Sequence, residues 1–396
     1  MNETSSSPAE EQTRFSRRSF LRKSSLVAGA AIGSSALLSA CTGGDGSGAA
    51  PAAAAGSGGG PGTVGDDAYV KAVTEKVKGR TIKVGFTPIF LSEFFTQMEG
   101  GAFQRMYELE QAYGVKWQWQ RSSPAANSFN ATQAQIQIVQ NFASRKFDAV
   151  AIGSGGDFAT MQNAYTQATK NGTKIFQFNM VPEAHFDSMD RFEFTSSVGY
   201  DNRFQAGFVA GDFIGKTLKG KGTIMQIWGP PGSEFAAIRQ EGFDAALAQY
   251  PGLKVIAKGN GQYQRNTGFT VSQALLTRFP DVNAIYGENE DMALGAAQAV
   301  DARGLKHWDG TKGVVIIGAD GLVSGMEAIR AGKMTASIDV GSVDMGREFV
   351  DMIFQSIALE NAVPKIRWVP TRLVTKENVD TAEAYLKWSL KPAKKY

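Results

Sequence analysis

Histidine and cysteine are nearly absent from this 396-residue chain, which has two histidines, His185 and His307, and one cysteine, Cys41. A single thiol cannot close an intramolecular disulfide, and these three residues cannot form a clustered Cys/His metal site. A Ser-His-Asp or Cys-His mechanism would have only those two imidazoles to use, and no G-x-S-x-G elbow occurs. Charge of one sign is also scarce, with 41 Lys and Arg against 38 Asp and Glu. Arg14, Arg17, Arg18, Arg22 and Lys23, with Glu3, Glu10 and Glu11, fall in residues 1–23, leaving 36 basic and 35 acidic side chains beyond them. A nucleic-acid binder concentrates Lys and Arg on its folded part, and no such cluster is present. Long apolar runs are missing too. Residues 24–40 are uncharged but diluted by Ala, Gly and Ser, and fall short of the roughly 20 apolar residues of a membrane span. What remains is 43% hydrophobic and 20% charged, enough for packed cores in two or three domains.

The N-terminal residues read as an address, an anchor and a tether. Ser16-Arg17-Arg18-Ser19-Phe20-Leu21 resembles a twin-arginine export signal, and residues 24–40 fit its apolar region. Leu38-Ser39-Ala40-Cys41 resembles a bacterial lipobox, so residues 1–40 are expected to be a signal peptide and Cys41 the lipid attachment site in the bilayer. Residues 41–68, almost all Gly, Ala, Ser and Pro in their first two-thirds, are expected to form a flexible linker.

From residue 81 short β-rich runs alternate with amphipathic helical patterns. Strands are expected at 81–86, 115–119, 147–152 and 174–178, with helices at 94–113, 132–142 and 158–170. The pattern restarts after Tyr200. Strands at 222–228, 253–257, 282–286, 314–317 and 334–339 alternate with helices at 202–218, 234–249, 266–278, 291–302, 322–330 and 343–359. Such alternation predicts an α/β fold with doubly wound parallel sheets, and the number of units predicts two lobes. Ligands of such sheets bind beyond the carboxyl ends of the strands.

Several motifs compete as carriers of chemistry. Gly153-Ser154-Gly155-Gly156-Asp157 follows a strand but does not complete G-x-G-x-x-G, and a short Gly-rich turn needs no cofactor. Gly211 to Thr217 approaches a phosphate-binding loop, yet Ala210 takes the first glycine position and the segment lies within an expected helix. His185 and His307 fall in polar connections and read as loop residues. Asn289 and Asp320 end strand-like runs, where they fit either helix caps or ligand contacts. Arg239, within Glu234 to Phe243, fits a surface charge or a ligand clamp.

Asn289-Glu290-Asp291-Met292-Ala293-Leu294-Gly295-Ala296, with Ile317-Gly318-Ala319-Asp320-Gly321, Phe94-Phe95 and Arg239 to Phe243, resembles the ribose-type (type 1) periplasmic sugar-binding proteins of ABC importers. Order and spacing agree over about residues 81–375. The resemblance implies two α/β lobes joined by a three-strand hinge, residues 81–199 with 341–369 and residues 200–340 with 370–396. It implies ligand contacts from Phe94, Phe95 and Tyr263 on sugar faces, and from Arg239, Asn289 and Asp320 on hydroxyls, which both donate and accept. In the first lobe the family's polar cluster corresponds to Ser92, Gly153, Asn179 and Met180, so Asn-Met stands where an Asp-Arg pair is expected. Near the last crossing Asp339 and Val340 occupy the place of a glutamine. These departures favour a sugar other than ribose, a polyol such as a cyclitol, or a less hydroxylated furanose.

The expectation is therefore a lipid-anchored extracytoplasmic receptor, monomeric and not an enzyme, without cofactor or metal, that closes on a small sugar or polyol and delivers it to an ABC permease. The rival readings are a signalling receptor for a sugar-like metabolite, as for autoinducer-2, and an exported α/β oxidoreductase.

Overall fold

The structure, a computed structural model, describes residues 67–124, 131–153, 158–179, 192–200, 203–231 and 233–396. The expected export signal, lipobox and Cys41 lie outside the described residues, as do Met180, His185 and residues 154–157 of the Gly-rich turn.

Two sheets repeat one strand order. The first contains β1 (Thr81–Thr87), β2 (Lys116–Arg121), β3 (Ala149–Ile152), β4 (Lys174–Phe178), β5 (Ser196–Tyr200) and β11 (Ile366–Val369). They lie in the order β2-β1-β3-β4-β5-β11, all parallel. The second contains β6 (Lys221–Trp228), β7 (Gly252–Asn260), β8 (Ala284–Gly287), β9 (Val315–Asp320), β10 (Ala336–Asp339) and β12 (Arg372–Thr375). Its order is β7-β6-β8-β9-β10-β12, with only β12 antiparallel to its neighbour. Central strands such as β3 and β8 are buried throughout, which is why they read as unbroken apolar runs. Edge strand β2 instead alternates exposed Lys116 and Gln118 with buried Trp117 and Trp119.

In the first half the helices are α1 (Asp67–Val77), α2 (Glu93–Tyr113), α3 (Thr132–Ser144) and α4 (Phe158–Lys170). In the second they are α5 (Arg203–Thr217), α6 (Glu234–Leu247), α7 (Arg265–Arg278), α8 (Glu290–Ala302) and α9 (Val323–Arg330), followed by α10 (Ser342–Ile353) and α11 (Val379–Ser389). The helix expected over 343–359 changes at Phe354 into one π turn ending at Ala358. The segment that approached a phosphate loop is the body of α5. A Cβ at Gly207 would fall 1.9 Å from the Arg239 carbonyl, and one at Gly242 would fall 1.9 Å from the Phe204 carbonyl. Gly207 of α5 and Gly242 of α6 thus let the two helices touch backbone to backbone, which fixes where α6 carries Arg239. Among the described residues no helix is long and apolar enough to cross a membrane.

The chain passes between the sheets three times, after β5, between β10 and α10, and between β11 and β12. The last residues make a further link. They were expected with the second lobe, but Lys394 and Tyr396 reach Glu110 on α2, and Tyr396 packs on Phe103. An aromatic stack lies under the first sheet's carboxyl ends. Phe86 stacks on Phe178 at 5.0 Å and on Trp119 at 5.1 Å, and Phe349 of α10 stacks on Phe178 at 5.6 Å.

Candidate binding cleft

The carboxyl ends of both sheets converge on one cavity of about 80 Å³, the size for a small solute rather than an oligosaccharide. From the first lobe come Ile89, Phe90 and Ser92 after β1, Phe94 and Phe95 on α2, Gly153 after β3, Phe178 ending β4, and Asn179. From the second come Phe235 and Arg239 on α6, Tyr263 between β7 and α7, Asn289 and Asp291 after β8, and Asp320 ending β9.

The first wall is aromatic because the core stack continues into it. Phe95 leans on Phe178 at 6.0 Å, and Phe94 meets Phe95 edge-on at 5.2 Å. Gly153 lies against Phe178, where a Cβ would come within 2.5 Å of the ring. Its carbonyl accepts from Gln135 Nε2 at 2.8 Å. Asn179 takes the left-handed backbone conformation, with φ of 56°, and its N–H donates to the Val198 carbonyl.

The second wall is built around a buried guanidinium. Arg239 Nη1 donates to the Glu288 carbonyl at 2.5 Å and Nη2 to the Tyr200 hydroxyl at 3.0 Å, while Asp320 Oδ1 stands 3.7 Å from Nη2. Arg239 Nε, also buried, has no hydrogen-bond partner among the described residues. A buried donor without a partner costs about 1–3 kcal/mol. Burial pushes the Asp320 carboxyl up to about 7, with Arg239 opposing the shift. Burial likewise raises Glu288 to about 7, although Gly229 N–H donates to its carboxylate at 2.7 Å.

Two lining residues of this wall also hold unusual backbone. Tyr263 has φ of 55° and Asp320 φ of 153°, values that side-chain-bearing residues seldom adopt, and such strain gathers at functional sites. The Tyr263 hydroxyl lies 3.2 Å from Ser233 Oγ, and its ring fills space that a Cβ on Gly229 would occupy. Asn289 is a helix cap that also faces the cavity. Its Oδ1 accepts from Met292 N–H at 2.9 Å as the cap of α8, and the residue lines the cavity.

The cavity therefore brings together Ser92, Phe94, Phe95, Gly153, Asn179, Arg239, Tyr263, Asn289 and Asp320. It excludes two residues expected there. Asp339 Oδ1 accepts from Gly341 N–H at 2.8 Å, and its Oδ2 lies 3.6 Å from Arg372, so this carboxylate braces the second crossing against the third. Val340 is fully buried in the core beneath. His307 pairs with Asp301 at 2.8 Å, away from the lining. Sequence reasoning missed Ile89, Phe90, Phe178, Phe235 and Asp291 as lining residues. For Phe178 the available signal was its place as the last residue of an expected strand. Among the described residues no group of His, Cys, Asp and Glu could hold a metal ion.

The family described as periplasmic binding protein domain matches residues 84–361. The ribose import binding protein of Haemophilus influenzae is 31% identical over 205 residues, 50% of this chain and 66% of that protein. The xylitol-binding protein of Mycolicibacterium smegmatis is 31% identical over 173 residues, 42% of this chain and 46% of that protein. The chain thus spans about half to two-thirds of the length of these curated relatives. Among solved structures, an ABC transporter solute-binding protein from Bacillus halodurans with bound myo-inositol superposes with a TM-score of 0.65 at 24% identity, over 78% of this chain and 99% of that one. At that identity the likeness establishes the fold.

Proposed function

Given that the chain belongs to the periplasmic binding protein family, we propose that it captures a small sugar or polyol in the cleft by closure of its lobes and delivers it to an ABC permease. The observation that carries this reading is the pairing of walls across one small cavity. Aromatic rings cover the C–H faces of a sugar ring, while Arg239, Asn289 and Asp320 match hydroxyls that donate and accept. Relatives named for ribose and xylitol support the same ligand class. The protein works outside the cytoplasm, exported through its twin-arginine signal and held to the membrane by lipid on Cys41, with the expected linker between Cys41 and α1 as a tether.

Calorimetric titration with D-ribose, D-allose, xylitol and myo-inositol tests the ligand class. Saturable binding of at least one is expected, and binding of none would overturn it. The anchor has its own test, since Cys41→Ser should move the protein from the membrane to the soluble fraction on ultracentrifugation.

A further inference from the structure

Helix α9 has no cap of its own. Leu322 stands at its N-cap and offers no side-chain acceptor, so the first N–H groups of the helix need partners from elsewhere. Glu290 Oε2, from the same lobe, accepts from Leu322 N–H at 2.5 Å. The next two acceptors come from α2 of the first lobe. Gln97 Oε1 accepts from Val323 N–H at 2.8 Å, and Glu93 Oε1 accepts from Ser324 N–H at 2.8 Å. Glu93 Oε2 also accepts from the Ser324 hydroxyl at 2.6 Å.

The two α2 residues differ in where they stand. Gln97 is fully buried beside the second crossing, with Nε2 donating to the Gly321 carbonyl and to Ser342 Oγ. Glu93, one turn nearer the cleft, is partly exposed and adjoins the lining residues Ser92 and Phe94. Arg265 of α7 completes the contact. Its Nη2 donates to Ser324 Oγ at 3.0 Å and lies 3.8 Å from Glu93, while Nε donates at 2.9 Å to Asp291, which lines the cavity.

We infer that Glu93 is the closure latch of this receptor, a first-lobe carboxylate that caps a second-lobe helix only when the lobes meet. Both carboxylate oxygens are taken by Ser324, so Glu93 is a positioning residue that holds the cleft shut rather than a ligand contact. Opening strips α9 of a charge-assisted cap and takes Glu93 away from Arg265, which keeps Asp291 and the Ser324 hydroxyl of its own lobe. This inference rests on the lobe-closure reading above and adds the residue that sets how long the closed state lasts.

The test compares Glu93→Gln, Ser324→Ala and the double variant with wild type in two measurements. In stopped-flow binding of whichever of D-ribose, D-allose, xylitol and myo-inositol binds, Glu93→Gln should release ligand about tenfold faster, with little change in association rate and an unchanged order of preference. Ser324→Ala should act in the same direction, and the double variant should fall short of the summed effects. In hydrogen exchange without ligand, peptides covering Leu322–Arg330 should exchange faster in Glu93→Gln while the rest of the protein keeps its protection. Unaltered release, additive effects, a reordered preference or unaltered exchange would each overturn the latch. If wild type binds none of the four probes, the ligand class fails separately and exchange alone decides the latch.

Discussion

The two lobes share a strand order but not a chemistry. Among the described residues the first lobe lines the cleft with five apolar side chains and only Ser92 and Asn179 as polar ones, whereas the second presents Arg239, Asn289, Asp291 and Asp320 beside Phe235 and Tyr263. The cause lies in what packs behind each wall. The first continues an aromatic core into the cleft, and the second rests on a buried guanidinium held by the Glu288 carbonyl and the Tyr200 hydroxyl, with the Asp320 carboxyl beside it. Under the proposed function the first wall would cover a ligand's faces and the second would fix its orientation, so substitutions in the second should cost more.

Arg239→Ala is the strongest test of that asymmetry. Removing a buried, hydrogen-bonded charge should weaken sugar binding by at least about a hundredfold in calorimetry, with the circular dichroism spectrum retained. Phe94→Ala, on the aromatic wall, should cost about tenfold, since an aromatic face is lost without orphaning a charge. A larger loss for Phe94→Ala than for Arg239→Ala would reverse the comparison. Asp320→Asn sharpens it by pH. With the Asp320 carboxyl near 7, wild-type affinity should rise as pH climbs through about 7 and the stronger acceptor forms, while the variant should show a clearly smaller rise between titrations at pH 6 and 8. Gly153→Ala should lower the thermal midpoint by a few degrees, because the added methyl meets the Phe178 ring.

A separate pH effect concerns Glu290, buried beneath the second wall and raised by desolvation from 4.5 to about 8. A carboxyl whose folded value is raised stabilises fully below its unfolded value, and that contribution fades as pH rises through the folded one. Urea unfolding of Glu290→Gln should therefore show a shallower fall in stability between pH 4.5 and 8 than wild type.

Much of the architecture was legible because most strands and helices carry their period in the sequence. The exceptions have physical reasons. Strand β5 is Ser-Ser-Val-Gly-Tyr, weak in intrinsic β preference and held by burial on both sides. Strands β11 and β12 are four residues each at sheet margins, with Arg367, Trp368 and Arg372 exposed, so neither shows an apolar run. Helix α11 is itself left unassigned by the sequence reading. Motif resemblance pointed to Arg239, Asn289 and Asp320, whereas Asp291 was hidden among the acidic residues that open α8. No sequence pattern announces that Asn179, Tyr263 and Asp320 take positive φ, because that conformation is imposed by contacts between distant segments.

The path of the final residues has a practical consequence. Because Tyr396 is seated on α2 by Phe103 and Glu110, a fluorophore joined there would ride with the first lobe, although the preceding helix binds Arg330 of α9. Lys376, exposed just beyond β12, would carry a second dye on the other body. Energy transfer between the two would turn the molecule into an optical sensor for its own cargo.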